Sequence, residues 1–186
     1  MSDAEFDYVI VGAGSAGCVV GNRLSEGENV TVCLLESGPR DRSWQIHVPL
    51  AVMWAMMNEK INWKFNSTPQ NDAGGRSIYM PRGKTLGGSS AINGMVFVRG
   101  NRTNYDAWAA GGCPGWSYDE VLPYFKKLED FEAGESEYRG AGGPIKVTRP
   151  TGISPLSEAF LHACSGTCDV EIIDDYNAED QEGAAL

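Results

Sequence analysis

Apolar and polar positions set out a strand, a helix and a second strand within the first 36 residues. Residues 6–11 hold Phe6, Tyr8, Val9, Ile10 and Val11, a short apolar run of the kind a buried parallel strand needs. A glycine-rich turn follows, and residues 15–24 predict a helix. The strand pattern returns over residues 30–35. A strand, a crossover helix and a strand in this order predict a βαβ unit, and so an α/β chain with a parallel sheet.

Later segments are shorter. Residues 44–57 are apolar, with a short helix expected after Pro49. Residues 61–65 alternate like a strand, residues 69–75 read as a loop, and residues 77–80 as another short strand. A glycine- and serine-rich run, residues 83–94, leads into an apolar segment, 95–98, expected to be a buried strand. Ser117 and Glu120 form a capping-box pattern. Val121, Leu122, Tyr124, Phe125 and Leu128 then repeat at helical period, which requires Pro123 to sit in the first turns. Residues 132–143 read as an exposed loop, 143–148 as a strand, and 155–163 as the start of a helix. There is no internal repeat.

Chemistry enters at the first turn. Gly12, Gly14 and Gly17 stand at Gly-x-Gly-x-x-Gly spacing between strand and helix. The first allows a tight turn, the second lets backbone approach a pyrophosphate, and the third lets the helix lie close on the sheet. Glu36 ends the second strand 19 residues past Gly17, where a carboxylate accepts hydrogen bonds from an adenosine ribose. The ligand class is an ADP-containing dinucleotide. The motif does not separate FAD from NAD, and Glu36 disfavours the 2′-phosphate of NADP. Small residues across 83–94 let backbone come close to something flat or anionic.

Composition narrows the partners. The chain has 186 residues, 42% hydrophobic and 22% charged, enough for one domain or slightly more. No apolar stretch approaches the roughly 18 residues that span a bilayer. Residues 1–5 carry neither a basic region nor a cleavable apolar segment, so no signal peptide is read. The expected compartment is the cytoplasm, with a peripheral place at the inner membrane as the second reading. A net charge of −10 argues against nucleic acid and anionic membrane. The acidic runs 129–137 and 169–182 read as solvated surface.

The five cysteines match no zinc or haem spacing, and no metal is expected. Cys18 and Cys33 fall within the helix and strand and read as small buried apolar groups, while Cys164 and Cys168 lack further ligands nearby. His47 and His162 have no Ser or Cys partner in a nucleophile motif, and neither is assigned as a catalytic base.

With these residues in view, the chain resembles the glucose–methanol–choline (GMC) oxidoreductases, flavoproteins that oxidise alcohols. The resemblance rests on the run from Asp7 to Cys18 with Glu36. It is most specific from Pro81 to Asp106, through Gly87-Gly88-Ser89-Ser90, Ile92-Asn93, Phe97 and Gly100. Ile46-His47-Val48-Pro49, Gly115-Trp116-Ser117-Tyr118 and Leu122-Pro123-Tyr124-Phe125 are similar to the branch acting on choline and aliphatic alcohols.

The resemblance implies a Rossmann-like FAD-binding domain, incomplete, over residues 1–150, and the beginning of an α+β substrate domain over 151–186. It implies FAD rather than NAD. Gly12, Gly14, Ser15, Ala16, Gly17 and Glu36 would hold the ADP half. Arg82, Gly87, Gly88, Ser89, Asn93, Gly94, Met95 and Val96 would line the pyrophosphate and isoalloxazine. Ile92 stands where some members tether FAD through a histidine, so FAD is expected to be non-covalent.

The implied activity is oxidation of an alcohol to an aldehyde by hydride transfer to flavin N5. Its partners are a small alcohol and an electron acceptor, oxygen or a quinone. The family's histidine base lies in a C-terminal part. This chain therefore reads as an N-terminal piece, inactive alone, with no catalytic residue of its own and with its C-terminal part as a partner if that is made separately. A non-catalytic dinucleotide-binding module is the alternative. A NAD-linked dehydrogenase fits the second glycine run poorly.

Overall fold

The computed structural model describes residues 4–168 and 170–185; Asp169, which opens the second acidic run, and the N-terminal residues 1–3 lie outside it. The chain divides into two compact units, residues 1–96 and 97–186.

The first unit begins with strand β1 (Tyr8–Val11), helix α1 (Ser15–Leu24) and strand β2 (Val32–Leu35). The strands pair in parallel, Tyr8 with Val32 through Val11 with Leu35. This is a Rossmann-like α/β arrangement. Both strands start later than their apolar runs because side chains replace the ladder there. The Asp7 carboxylate accepts from the Thr31 N–H and hydroxyl, each at 2.7 Å. Gly17 is required by packing, since a Cβ there would meet the Gly12 carbonyl oxygen at 1.9 Å. The expectation that β1 is buried on both faces fails. Val9 is 57% and Val11 84% exposed, because the parallel sheet has only two strands among the described residues.

Beyond β2 come α2 (Trp44–His47), a 3₁₀ turn (Pro49–Ala51) and α3 (Val52–Met57). A small core joins Ala55 of α3 to Ile61 and Ile92, with Ile46 against it. Strands β3 (Phe65–Asn66) and β4 (Tyr79–Met80) pair antiparallel. The expected strand over 61–65 is broken: Lys64 adopts φ +52°, and Asn62 instead makes an isolated bridge to Gly83. Residues 95–98 are not a buried strand either. Met95 turns at φ +60°, its N–H held by Asn93 Oδ1 at 2.9 Å, and Val96 is 80% exposed.

In the second unit, α4 (Arg102–Ala110) starts at Asn101, whose side chain accepts from the Thr103 N–H at 2.9 Å. The sequence pattern predicts no helix there. Helix α5 (Tyr118–Leu128) opens at the expected capping box: Glu120 accepts from the Ser117 N–H at 3.0 Å and hydroxyl at 2.6 Å. Pro123 sits inside it. Strands β5 (Glu129–Phe131) and β6 (Ile145–Val147) pair in parallel, and α6 spans Pro155–Cys168.

The solvated reading of the run 129–137 fails at Glu129, which is fully buried. Its carboxylate meets Arg99 at 2.6 Å and Arg139 at 3.2 Å, and Asp175 lies 3.4 Å from Arg139. Arg139 lies within the stretch 132–143 read as an exposed loop, yet it is buried. Burial lowers its pKa from the ordinary guanidinium value, against the opposing pull of Asp175 and Glu129.

Candidate functional site

The two glycine runs, well separated in sequence, meet backbone to backbone. The Gly87 N–H donates to the Ala13 carbonyl at 2.8 Å. A Cβ on Gly88 would stand 2.7 Å from the Gly14 Cα. A side chain at position 88 would prevent this approach.

A third loop joins them. Glu36 receives the Ala13 N–H on Oε2 at 2.9 Å and the Gly38 N–H on Oε1 at 2.8 Å. Ala13 is thus fully buried with both backbone groups satisfied. A Cβ on Gly38 would meet the Lys84 carbonyl oxygen at 1.9 Å. Thr85, also fully buried, donates its hydroxyl to the Pro39 carbonyl at 2.8 Å.

These loops border a cavity of about 680 Å³. Gly12, Gly14, Ser15, Glu36, Arg82 and Gly88 line it, together with Ser89. Gly14 is the N-cap of α1 and carries no side-chain cap, so the first-turn N–H groups suit an anion. A Cβ on Gly14 would have nothing nearer than the Gly88 Cα at 4.0 Å, which leaves room above it. The one cation among the lining residues is Arg82, whose guanidinium is tied to the Pro81 carbonyl at 2.7 Å. A carboxylate offers about four acceptor positions, so Glu36 keeps capacity for hydroxyls beyond its two backbone bonds. Glycine backbone, a helix N-terminus, one cation and one carboxylate together fit a dinucleotide.

The remaining sequence-assigned residues lie elsewhere in the same unit. Ala16 and Gly17 belong to the first turn of α1, and Gly87 holds Ala13 rather than lining the cavity. Asn93 and Met95 border a separate cavity of about 110 Å³ beside Ile46, Ala55 and Ile92. Gly94 and Val96 line neither cavity. The histidines line neither as well, and the His47 ring contacts the Asp41 carbonyl. No cluster of metal-ligating side chains occurs among the described residues. Sequence reasoning missed Trp63 and Phe65, which also line the larger cavity. Their alternation was legible, but only as a strand.

The family model for GMC oxidoreductase matches residues 6–186. The chain belongs to the GMC oxidoreductase family. It is 45% identical over 179 residues to oxygen-dependent choline dehydrogenase of Brucella suis biovar 1 (strain 1330), covering 96% of this chain and 32% of the relative. The Photobacterium profundum protein of the same name is 46% identical over 180 residues, with the same coverage.

Among solved structures, pyridoxine 4-oxidase from Mesorbium loti superposes with a TM-score of 0.88 at 32% identity, over 96% of this chain and 35% of that one. A formate oxidase superposes with a TM-score of 0.86 at 30% identity, over 100% and 34%. The chain therefore spans about a third of the length of the relatives it matches. No helix among the described residues is long and apolar enough to cross a membrane.

Proposed function

We propose that this chain is the FAD-binding part of an enzyme that oxidises an alcohol, choline or an aliphatic alcohol, to an aldehyde. The observation that carries the reading is the apposition of Gly14 and Gly88 on one cavity that also holds Glu36 and Arg82. Family membership and the choline dehydrogenase relatives support the alcohol. Glu36 and Ser15 would hold the adenosine side, with Gly12 and Gly14 at the pyrophosphate. Arg82, Gly87, Gly88 and Ser89 would close over it, with the segment from Asn93 through Gly94 and Met95 to Val96 toward the ring.

FAD bound there supplies the hydride acceptor for the alcohol carbon. Ile92 is 4% exposed and aliphatic, so it offers no atom for a covalent tether, and the cofactor is held non-covalently. Residues 1–150 are assigned to the FAD-binding domain and 151–186 to the start of the substrate domain. Oxygen or a quinone takes the electrons.

Neither His47, whose ring contacts the Asp41 carbonyl, nor His162 is assigned the hydroxyl proton, and residues 1–186 alone are expected to bind flavin without turning over alcohol. Purified with FAD and freed of excess cofactor, the protein should show the absorption bands of oxidised flavin. Anaerobic choline or a short aliphatic alcohol should leave those bands unbleached in residues 1–186 and bleach them in the full-length enzyme. A colourless protein that does not take up FAD would refute the binding site; a full-length enzyme not reduced by any alcohol would refute the reaction.

A further inference from the structure

Asn62 precedes Trp63 of the larger cavity's lining, is 2% exposed, and uses every hydrogen-bonding position of its amide. Its Nδ2 donates to the Met56 carbonyl at the end of α3 and to the Tyr79 hydroxyl, the latter at 2.8 Å. Its Oδ1 accepts from the Lys64 N–H at 3.0 Å and from the Arg82 N–H at 2.9 Å. Tyr79 closes the network by donating its hydroxyl to the same Met56 carbonyl at 2.6 Å.

Both Oδ1 bonds lead to the cavity wall. One fixes the backbone of Arg82, the lining cation. The other fixes Lys64, which is held at φ +52°, a conformation unfavourable for a side chain this large. Lys64 separates Trp63 from Phe65. Their rings stack at 5.9 Å with planes 8° apart, and both line the cavity. The Trp63 N–H donates to the Arg82 carbonyl at 2.9 Å, so the two wall segments are also joined to each other.

We propose that Asn62 is a positioning residue for the dinucleotide: through Oδ1 it sets where the cavity's cation and its aromatic wall stand. The inference rests on the reading of this cavity as the FAD site.

The test is FAD titration of the full-length apoprotein, followed by quenching of tryptophan emission, with melting temperatures measured alongside. Asn62→Ala should weaken FAD binding of the folded protein roughly thirtyfold, as losing two hydrogen bonds of ordinary strength would. Tyr79→Phe keeps both Oδ1 bonds but loosens the amide, and should cost about threefold. In an Arg82→Ala background the Asn62→Ala effect should shrink, since one of the two groups it positions is gone.

A lower melting temperature with unchanged FAD affinity in Asn62→Ala would overturn the proposal, leaving Asn62 a support of the fold only. Should Asn62→Ala fail to fold, unchanged affinity in Tyr79→Phe overturns it, and a threefold loss sustains it. Failure of the wild-type protein to bind FAD is a separate result, and it refutes the assignment of the cavity itself.

Discussion

Single residues in the glycine loops carry different burdens, and substitutions separate them. A Cβ on Gly14 would make only an ordinary contact to the Gly88 Cα at 4.0 Å, whereas one on Gly17 would strike the Gly12 carbonyl oxygen at 1.9 Å. Gly14→Val should therefore abolish FAD binding while the protein still folds, because the side chain enters the space of the pyrophosphate. Gly17→Val should unfold the βαβ unit, because α1 can no longer lie on the sheet. Circular dichroism with FAD titration distinguishes the two, and retained FAD affinity in Gly14→Val would contradict the site. Glu36 has a double duty: it stitches the Ala13 and Gly38 amides together and offers remaining lone pairs to a ribose. Glu36→Ala should weaken FAD binding by about 1.5–3 kcal/mol from the charged hydrogen bond alone. Equilibrium titration of the apoprotein measures it; a loss well above that range would report the collapse of the loop junction.

Among the elements, α5 shows how far local rules reach. Ser117, Glu120 and the apolar repeat place its start, and the capping bonds form there. Those bonds from Ser117 hold the Glu120 carboxyl below its usual pKa. A depressed carboxyl pKa means that this stabilisation is present above the unfolded-state value and is lost as pH falls through the lower folded value. In the full-length protein, Ser117→Ala should lower the melting temperature by a few degrees near neutral pH. The difference from wild type should narrow in acid. A difference that stays constant from neutral to acidic pH would contradict the role given to Glu120. Strand β5 shows the limit. Its Glu-Asp sequence reads as solvated surface, yet Arg99 and Arg139 make Glu129 an interior residue.

For the whole molecule, the decisive feature is how much apolar surface stays open. In the first unit Val11 and Leu50 are each 84% exposed, and in the second Leu156 is 79% and Phe160 68% exposed. The parallel pair β1 and β2 is a two-stranded sheet, and such edges invite pairing with other chains. Residues 1–186 expressed alone should self-associate, eluting ahead of a monomer in size-exclusion chromatography and melting without a cooperative transition. A monodisperse preparation with a sharp melt would contradict this.

The amino-acid order alone determined the βαβ unit, the bounds of α1, the capped start of α5 and the spacing from Gly17 to Glu36. Each depends on neighbours a few residues away, through backbone conformation, side-chain period and turn chemistry. Only the folded chain decided that Gly14 meets Gly88, that Asn62 accepts from the Lys64 and Arg82 amides, and that Glu129 is buried while Val96 is not. Those outcomes are contacts between distant residues, and hydrophobic or charged character at one position carries no record of the partner that will cover or neutralise it.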